Sequence, residues 1–341
     1  MPEVTVAIPV RNGGGWLERT LQSLGRQTVE HELLVCDSGS SDRSVETARS
    51  HGARLLEIAP HRFSHGSTRN LLMAEAEGER VAFLSQDAEP ADEHWLAHLL
   101  GGFELADDVA IVYGPYLPRG DASLAVRLEL ERWFGSLSPD GAPRLERLAE
   151  DERSLPAMSF VGRSGFFTDA NGCLSRTAWE RVPFRDIPYA EDRALALDML
   201  RAGYAKAFVP AAGVMHSHRY STLQQVRRSF DEWRGLREVY GWREPARPAY
   251  LLGQLRGELR QALQESSLER LPAARRGVML AAVGRHHAAR LAGALLGSRA
   301  NLLPPWARRL LSLEGRASFV PLNPDNLLEL GPDTPPETAR S

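Results

Sequence analysis

Apolar residues in the first third of the chain fall into short blocks, each ending in a polar cluster. Val4 to Val10 is β-rich and runs into Arg11-Asn12-Gly13-Gly14-Gly15, after which Trp16, Leu17, Leu21 and Leu24 recur at helical spacing. That order reads as strand, glycine-rich loop, helix. Glu32 to Asp37 forms a second strand block, and the turn-rich run Asp37 to Asp42 leads into a helix carrying Val45, Ala48 and His51, with Asp42 placed to cap it. Arg54 to Ile58 is a third strand, Ser67 to Ala76 another helix, and Arg80 to Leu84 a fourth strand that ends at Ser85-Gln86-Asp87. Strands alternating with helices predict an α/β fold with a mostly parallel, Rossmann-like sheet and right-handed crossovers. Ligands bind such sheets beyond the carboxyl ends of the strands. Arg11-Asn12, Asp37 and Ser85-Gln86-Asp87 all fall at those ends, which predicts one shared site.

Farther along, Ala110 to Tyr116, Phe167 to Ser175 and Lys206 to Val214 are expected strands around a helix at Arg193 to Arg201, while residues 120–160 carry no clear period. From Ser221 the helical period dominates, and Pro245 and Pro248 separate a first helix from a second helical set, Tyr250 to Leu311. The chain is therefore expected to divide into a catalytic domain at 1–220, a helical C-terminal extension at 221–315, and a proline-rich, flexible tail at 316–341.

Composition narrows this picture only a little. With 43% apolar and 25% charged residues over 341 positions, the chain can bury a core without disulfides or structural metal. Cys36 and Cys173 form no C-x-x-C pair and read as reduced, partly buried thiols. The chain opens on a strand pattern rather than a basic and apolar leader, and no run of about 18 apolar residues occurs. A cytoplasmic protein without a membrane-spanning helix is expected. The net charge of −3 hides an asymmetry: residues 219–310 hold 17 arginines against seven acidic residues.

Two strand-end carboxylates carry candidate chemistry. Asp37 can accept hydrogen bonds from a nucleobase or ribose, or can close its own turn. Asp87 leaves a buried strand, where one carboxylate together with substrate phosphates and waters makes an adequate site for a hard divalent cation; the same residue could instead cap the turn before Pro90. Met215-His216-Ser217-His218 follows a strand, and alternate residues of an extended segment share a face, so both imidazoles can point to the ligand edge.

Four segments taken together resemble glycosyltransferase family 2: Val6 to Asn12, Val35 to Asp42, Thr68-Arg69-Asn70, and Phe83 to Asp87. The resemblance covers roughly the first 220 residues. It implies a GT-A fold, an inverting transfer from a nucleotide-diphosphate sugar, and Mg²⁺ or Mn²⁺ as cofactor. It suggests that Pro9, Arg11, Asp37, Arg69 and Gln86 lie at the nucleotide. Asp87 matches the last aspartate of the family's D-x-D metal motif, with His216 or His218 completing the metal or phosphate shell. Ser85 departs from that motif, standing where the first aspartate usually is. Ala190-Glu191-Asp192 matches the family's E-D dipeptide, which implies Asp192 as the general base and Glu191 as a neighbour that orients the acceptor or the base. Asp192 also fits a plain helix cap. Phe63 to Asn70, in the form F-x-H-G-x-x-R-N, and the S-Q-D-A run at Ser85 resemble the rhamnosyltransferase branch, which implies dTDP-rhamnose as donor ahead of a UDP-sugar. His65 then joins Asp169 and Asn171 as candidates for acceptor or phosphate contact.

The implied acceptor is a saccharide or a lipid-linked saccharide of surface glycan synthesis. Arginines interleaved with apolar residues between Leu252 and Leu311 suit either a membrane-surface contact at the inner face of the cell membrane or a packing surface on the core or in a homo-oligomer. No nucleic-acid module is recognisable. A catalytically silent sugar-nucleotide-binding scaffold is the rival reading, prompted by Ser85. A dinucleotide oxidoreductase is disfavoured because G-x-G-x-x-G is absent.

Overall fold

The computed structural model describes residues 3–162, 164–187, 189–265 and 271–315. The expected tail at 316–341 lies outside them. The elements run β1 (Val4–Val10), α1 (Gly14–Leu24), β2 (Glu32–Asp37), α2 (Ser44–Ser50), β3 (Arg54–Glu57), α3 (His65–Glu75), β4 (Arg80–Leu84), β5 (Glu89–Pro90), α4 (Trp95–Gly101), β6 (Val109–Tyr113), β7 (Tyr116–Leu117) and α5 (Leu124–Leu137). They continue with β8 (Arg144–Glu146), β9 (Asn171–Ser175), α6 (Arg176–Arg181), α7 (Glu191–Arg201), β10 (Ala205–Phe208), β11 (Val214–Met215) and α8 (Thr222–Tyr240). The helices α9 (Pro248–Leu263), α10 (Ala273–Gly297) and α11 (Pro305–Leu311) complete the described chain.

The main sheet has the order β3-β2-β1-β4-β9-β6-β10-β8, and a small sheet pairs β5, β11 and β7. Strands β1 to β4 are parallel, as the alternation of strand and helix predicts. Both faces of the sheet are covered, so β1, β4 and β6 are largely apolar runs rather than alternating. On one face Leu17, Leu21 and Leu24 of α1 and Trp95, Leu96 and Leu99 of α4 pack on Val6, Ile8 and Leu84. On the other, Leu71 and Leu72 of α3 and Leu195 and Met199 of α7 pack on Ala7 and Phe83.

The sheet departs from the expected pattern at its centre. β9 runs antiparallel to both β4 and β6. It is reached by the long excursion after β6, not by a strand–helix–strand crossover, so the parallel rule does not govern it. The expected strand Ala110 to Tyr116 is broken at Gly114, where any Cβ would overlap the carbonyl oxygen of Ala212. Its end, β7, joins the small sheet. Lys206 to Val214 divides in the same way into β10 and β11. Cys36 and Cys173 lie fully buried in β2 and β9, where desolvation pushes both thiols up to about 12.

The helix α8 begins with a capping box between Ser221 and Gln224. One face of it meets the sheet-bearing part: Gly235 lies against Tyr189 and Ala190, and the Tyr240 hydroxyl donates to the Gly165 carbonyl at 2.8 Å. The other face receives α10. Gly293 and Gly297 let the α10 backbone approach the Val226 and Phe230 carbonyls more closely than any side chain would allow. Among the described residues no helix is long and apolar enough to cross a membrane.

Candidate functional site

The carboxyl ends of β1 and β4 are tied together first. Gln86 accepts the Arg11 amide at 2.9 Å through Oε1 and donates to the Arg11 carbonyl at 3.2 Å through Nε2. Asn12, at φ 50°, accepts from the Ser41 amide at 2.8 Å and so pins this loop to the turn after β2. Asp37, 4% exposed, closes that turn by accepting the Gly39 and Ser40 amides through Oδ2, both at 2.9 Å. Its Oδ1 is buried with no hydrogen-bond partner among the described residues. Asp42 accepts the Gly14 and Ser44 amides and so ties the glycine-rich loop to the turn; the N-cap position of α2 is Arg43, so Asp42 is not the helix cap expected of it.

Pro9, Arg11, Gln86 and Asp87 line an outer chamber of about 440 Å³. Asp87, Glu191, Asp192 and His216 line an inner chamber of about 430 Å³. His65, Arg69, Ser85, Asp87 and His218 border both, so the chambers form one cleft.

Asp87 faces His216 and His218, each through Nδ1 at 3.5 Å from a carboxylate oxygen. One ligand atom from each of the three side chains falls within 4.8 Å of the others, and among the described residues no other such cluster of His, Cys, Asp and Glu occurs. Burial, only partly opposed by Asp87, lowers His216 to about 4, so its ring is neutral and its lone pair available. The ring also packs edge-on to Tyr116 at 4.7 Å. Arg119 donates to the Asp87 carbonyl and stacks over Trp16 at 3.9 Å, which fixes the loop after β4.

The inner wall is a buried charge network. Arg69, 5% exposed, meets Asp169 through Nε at 2.5 Å and Glu191 through Nη1 at 3.0 Å. Its guanidinium is thus held by two carboxylates. Burial raises the Asp169 pKa, and Glu191 adds to the rise against the pull of Arg69. Asp192 opens α7 one residue on, its Oδ1 accepting the Arg193 amide at 2.7 Å. Burial and then the Asp169 charge push Asp192 up to about 7. The residue before this helix start, Ala190, sits at φ 65°, a left-handed conformation that costs a residue with a Cβ. The close approach of Gly235 holds it there.

Asn171 does not face the cleft, and that expectation is corrected. It is fully buried, its amide bonded to Trp95 Nε1 at 2.8 Å and to the Pro115 and Ala212 carbonyls at 3.2 and 2.8 Å. Its work is to join the two sheets and α4. His65, by contrast, lies in the cleft, and Glu314 reaches it from the segment after α11 at 2.7 Å. Burial alone would lower its pKa, but Glu314 and Glu191 raise it to about 9. Sequence reasoning missed Tyr116, Arg119 and Glu314. None belongs to a motif, and only the fold brings them to the cleft.

Residues 5–159 match the sequence profile described as glycosyl transferase family 2. The O-antigen chain rhamnosyltransferase WbaN of Salmonella anatum is 31% identical over 239 residues, which cover 68% of this chain and 71% of that protein. RfbN of Salmonella typhimurium, also an O-antigen chain rhamnosyltransferase, is 30% identical over 234 residues, or 67% and 71% of the two chains. Among solved structures, the mannosyltransferase PcManGT from Pyrobaculum calidifontis, in complex with GDP-Man and Mn²⁺, superposes with a TM-score of 0.56 over 87% of each chain at 20% identity. The shared architecture is the GT-A fold. From this coverage and this fold, the chain is a glycosyltransferase and belongs to glycosyltransferase family 2.

Proposed function

We propose that the enzyme moves L-rhamnose from dTDP-rhamnose, with inversion, onto a saccharide or lipid-linked acceptor of surface glycan synthesis, acting at the cytoplasmic face of the cell membrane. The observation that carries this reading is that one cleft holds both a cation-ligand cluster, Asp87 with His216 and His218, and a carboxylate with the basicity of a general base, Asp192. Residues 1–220 then perform the chemistry, and residues 221–315 close the acceptor side.

The ligand set fits a divalent ion. Two neutral imidazoles and one carboxylate favour Mn²⁺ over Mg²⁺, which prefers oxygen donors. Such an ion offsets the charge of the departing diphosphate, and the imidazoles take the place of the carboxylate that Ser85 lacks. The unpartnered Oδ1 of Asp37 suits a donor group of the nucleoside. Asp37 stands behind the outer chamber, whose wall includes its neighbour Ser38 together with Pro9 and Arg11. Asp192 accepts the proton of the acceptor hydroxyl as its oxygen bonds to the anomeric carbon. The bond from that carbon to the diphosphate breaks, and dTDP leaves. Glu191 and Asp169 orient Arg69 at the junction of the two chambers. The rhamnosyl assignment rests on the F-x-H-G-x-x-R-N segment and on the names of the two Salmonella relatives.

Calorimetric titration with dTDP and UDP, with and without Mn²⁺ or Mg²⁺, tests the reading. Metal-dependent binding that prefers dTDP supports it. A preference for UDP keeps the chemistry and discards the sugar. Because Ser85 removes one expected carboxylate, nucleotide binding with no donor turnover would favour the silent scaffold instead.

A further inference from the structure

A third cavity, of about 480 Å³, adjoins the reaction cleft and has no part in the chemistry above. Its volume is in the usual range for small-ligand sites, about 300–1,000 Å³. Tyr116, Glu129 and Leu130 border both it and the inner chamber. Asp192 lines the inner chamber while the next residue, Arg193, lines this one. An acceptor that presents a hydroxyl to Asp192 therefore extends naturally into it.

The walls are organised by one buried carboxylate. Glu244, 5% exposed, accepts from Trp233 Nε1 at 2.9 Å, Trp242 Nε1 at 3.2 Å and the Tyr250 hydroxyl at 3.1 Å. Three aromatic side chains, from α8, the segment after it and α9, are thus locked in orientation by a single acceptor. Trp133 faces them from α5, edge-on to Phe166 at 5.0 Å, and its indole N–H is buried without a partner among the described residues. Charged groups alternate with the rings. Arg290 stands over Trp233 at 5.2 Å, and Arg132 pairs with Glu258 through two bonds of 2.9 Å.

We propose that this cavity is a saccharide subsite, holding the acceptor sugar unit or units next to the one that is glycosylated. Fixed aromatic faces suit the C–H faces of a pyranose, and the unsatisfied Trp133 N–H suits a hydroxyl or ring oxygen. The interleaved carboxylates and guanidiniums suit further hydroxyls. A hydrocarbon chain in the same space would cover the rings but make no use of the polar groups between them, Arg193 and the Glu129–Arg290 and Glu258–Arg132 pairs. The orientation fixed by Glu244 lowers the ordering cost of binding. The inference rests on the transferase reading, and it names the substrate class of its acceptor side.

The test uses the whole chain on a printed array of tail-free di- to tetrasaccharides from bacterial surface glycans, with the same glycans repeated on a long alkyl chain. Calorimetry with dTDP and Mn²⁺ runs in parallel. Wild type is expected to be retained on a subset of tail-free spots. Trp242→Ala should weaken that retention about tenfold or more, and Trp242→Phe, which keeps a stacking face, should restore it to within about threefold. Affinity for dTDP and the unfolding midpoint should be the same in all three proteins, which separates a lost subsite from a lost fold. Retention of no saccharide by wild type overturns the proposal. So does equal retention by Trp242→Ala, or retention only of spots carrying the alkyl chain. Failure of dTDP and UDP to bind would count against the donor reading alone, because saccharide retention is read independently.

Discussion

The substitution Asp192→Asn separates catalysis from stability in opposite directions. Asp192 is held at about 7, against an ordinary 3.8, because burial and Asp169 disfavour its charge. That displacement corresponds to about 4 kcal/mol between the two protonation states, as an upper bound. The sign follows from which state binds more protons. Between pH 3.8 and 7 the unfolded chain has already released this proton while the folded chain keeps it, so stability falls as pH rises through that window and is lowest above it. Asparagine carries no charge to bury and can still accept the Arg193 amide. The variant should therefore be more stable than wild type at pH 8, by up to about 5 °C in unfolding midpoint for a chain of this size. At pH 5 the gain should shrink to under about 2 kcal/mol. Transfer should fall by about 10²–10⁴, the usual contribution of a positioned base, with dTDP affinity nearly unchanged. In wild type, kcat should rise with pH through about 7 as the carboxylate forms. Differential scanning calorimetry at both pH values, a radiolabelled sugar-transfer assay and dTDP titration supply the three readouts. A variant with less than tenfold loss of transfer, or with weakened dTDP binding, refutes the assignment of Asp192 as base.

Other residues make independent predictions. Asp87→Ala should lower Mn²⁺ affinity about 100-fold or more and abolish the Mn²⁺-dependent part of dTDP binding; an unchanged response to Mn²⁺ would exclude Asp87 as a ligand. Glu314→Gln should move the His65 titration down from about 9 toward its ordinary 6.5, as followed by NMR of the imidazole. The stability that His65 gains from its carboxylate partners is full below pH 6.5 and lost as pH rises through about 9, so this variant should flatten that dependence; an unmoved His65 titration would show that Glu314 does not act on it. Gly66→Ala places a Cβ on the Arg185 carbonyl oxygen, and should cost about 3 kcal/mol, measured by urea unfolding, because backbone rather than a flexible side chain must give way. An alanine variant within about 0.5 kcal/mol of wild type would contradict the close approach of α3 to that loop.

The parts of the fold legible in sequence are those whose pattern is local. β1, β2 and β4 are continuous apolar blocks because both their faces are buried, and each ends in the polar cluster that meets the cleft. β9 was legible as a strand but not in direction, since direction depends on how an excursion of more than fifty residues returns to the sheet. The pair His216 and His218 could be anticipated from alternation, and the structure brings both to Asp87. Asn171 could not be placed, because a short polar side chain at the start of a strand suits a ligand or a sheet junction equally well. Only the positions of Trp95, Pro115 and Ala212 decide between them. Tyr116 ends an expected strand and Arg119 follows it with no motif to mark it, while Glu314 lies beyond the last helix. Their approach to the cleft is a property of docking between segments, which no local spacing encodes.

The antiparallel seat of β9 also has a consequence during synthesis. The parallel half-sheet β3-β2-β1-β4 is complete once residue 84 has emerged, but the strand that covers the free edge of β4 does not begin until residue 171. At 5–20 residues per second the ribosome needs roughly 4–17 s to supply it. Throughout that interval the apolar segment Arg80–Leu84 offers unpaired backbone to any neighbouring chain. The nascent protein is thus most exposed to aggregation halfway through translation. Slow codons between β4 and β9, or a shortage of chaperone at that stage, should reduce the yield of soluble enzyme more than the same perturbation placed after residue 175.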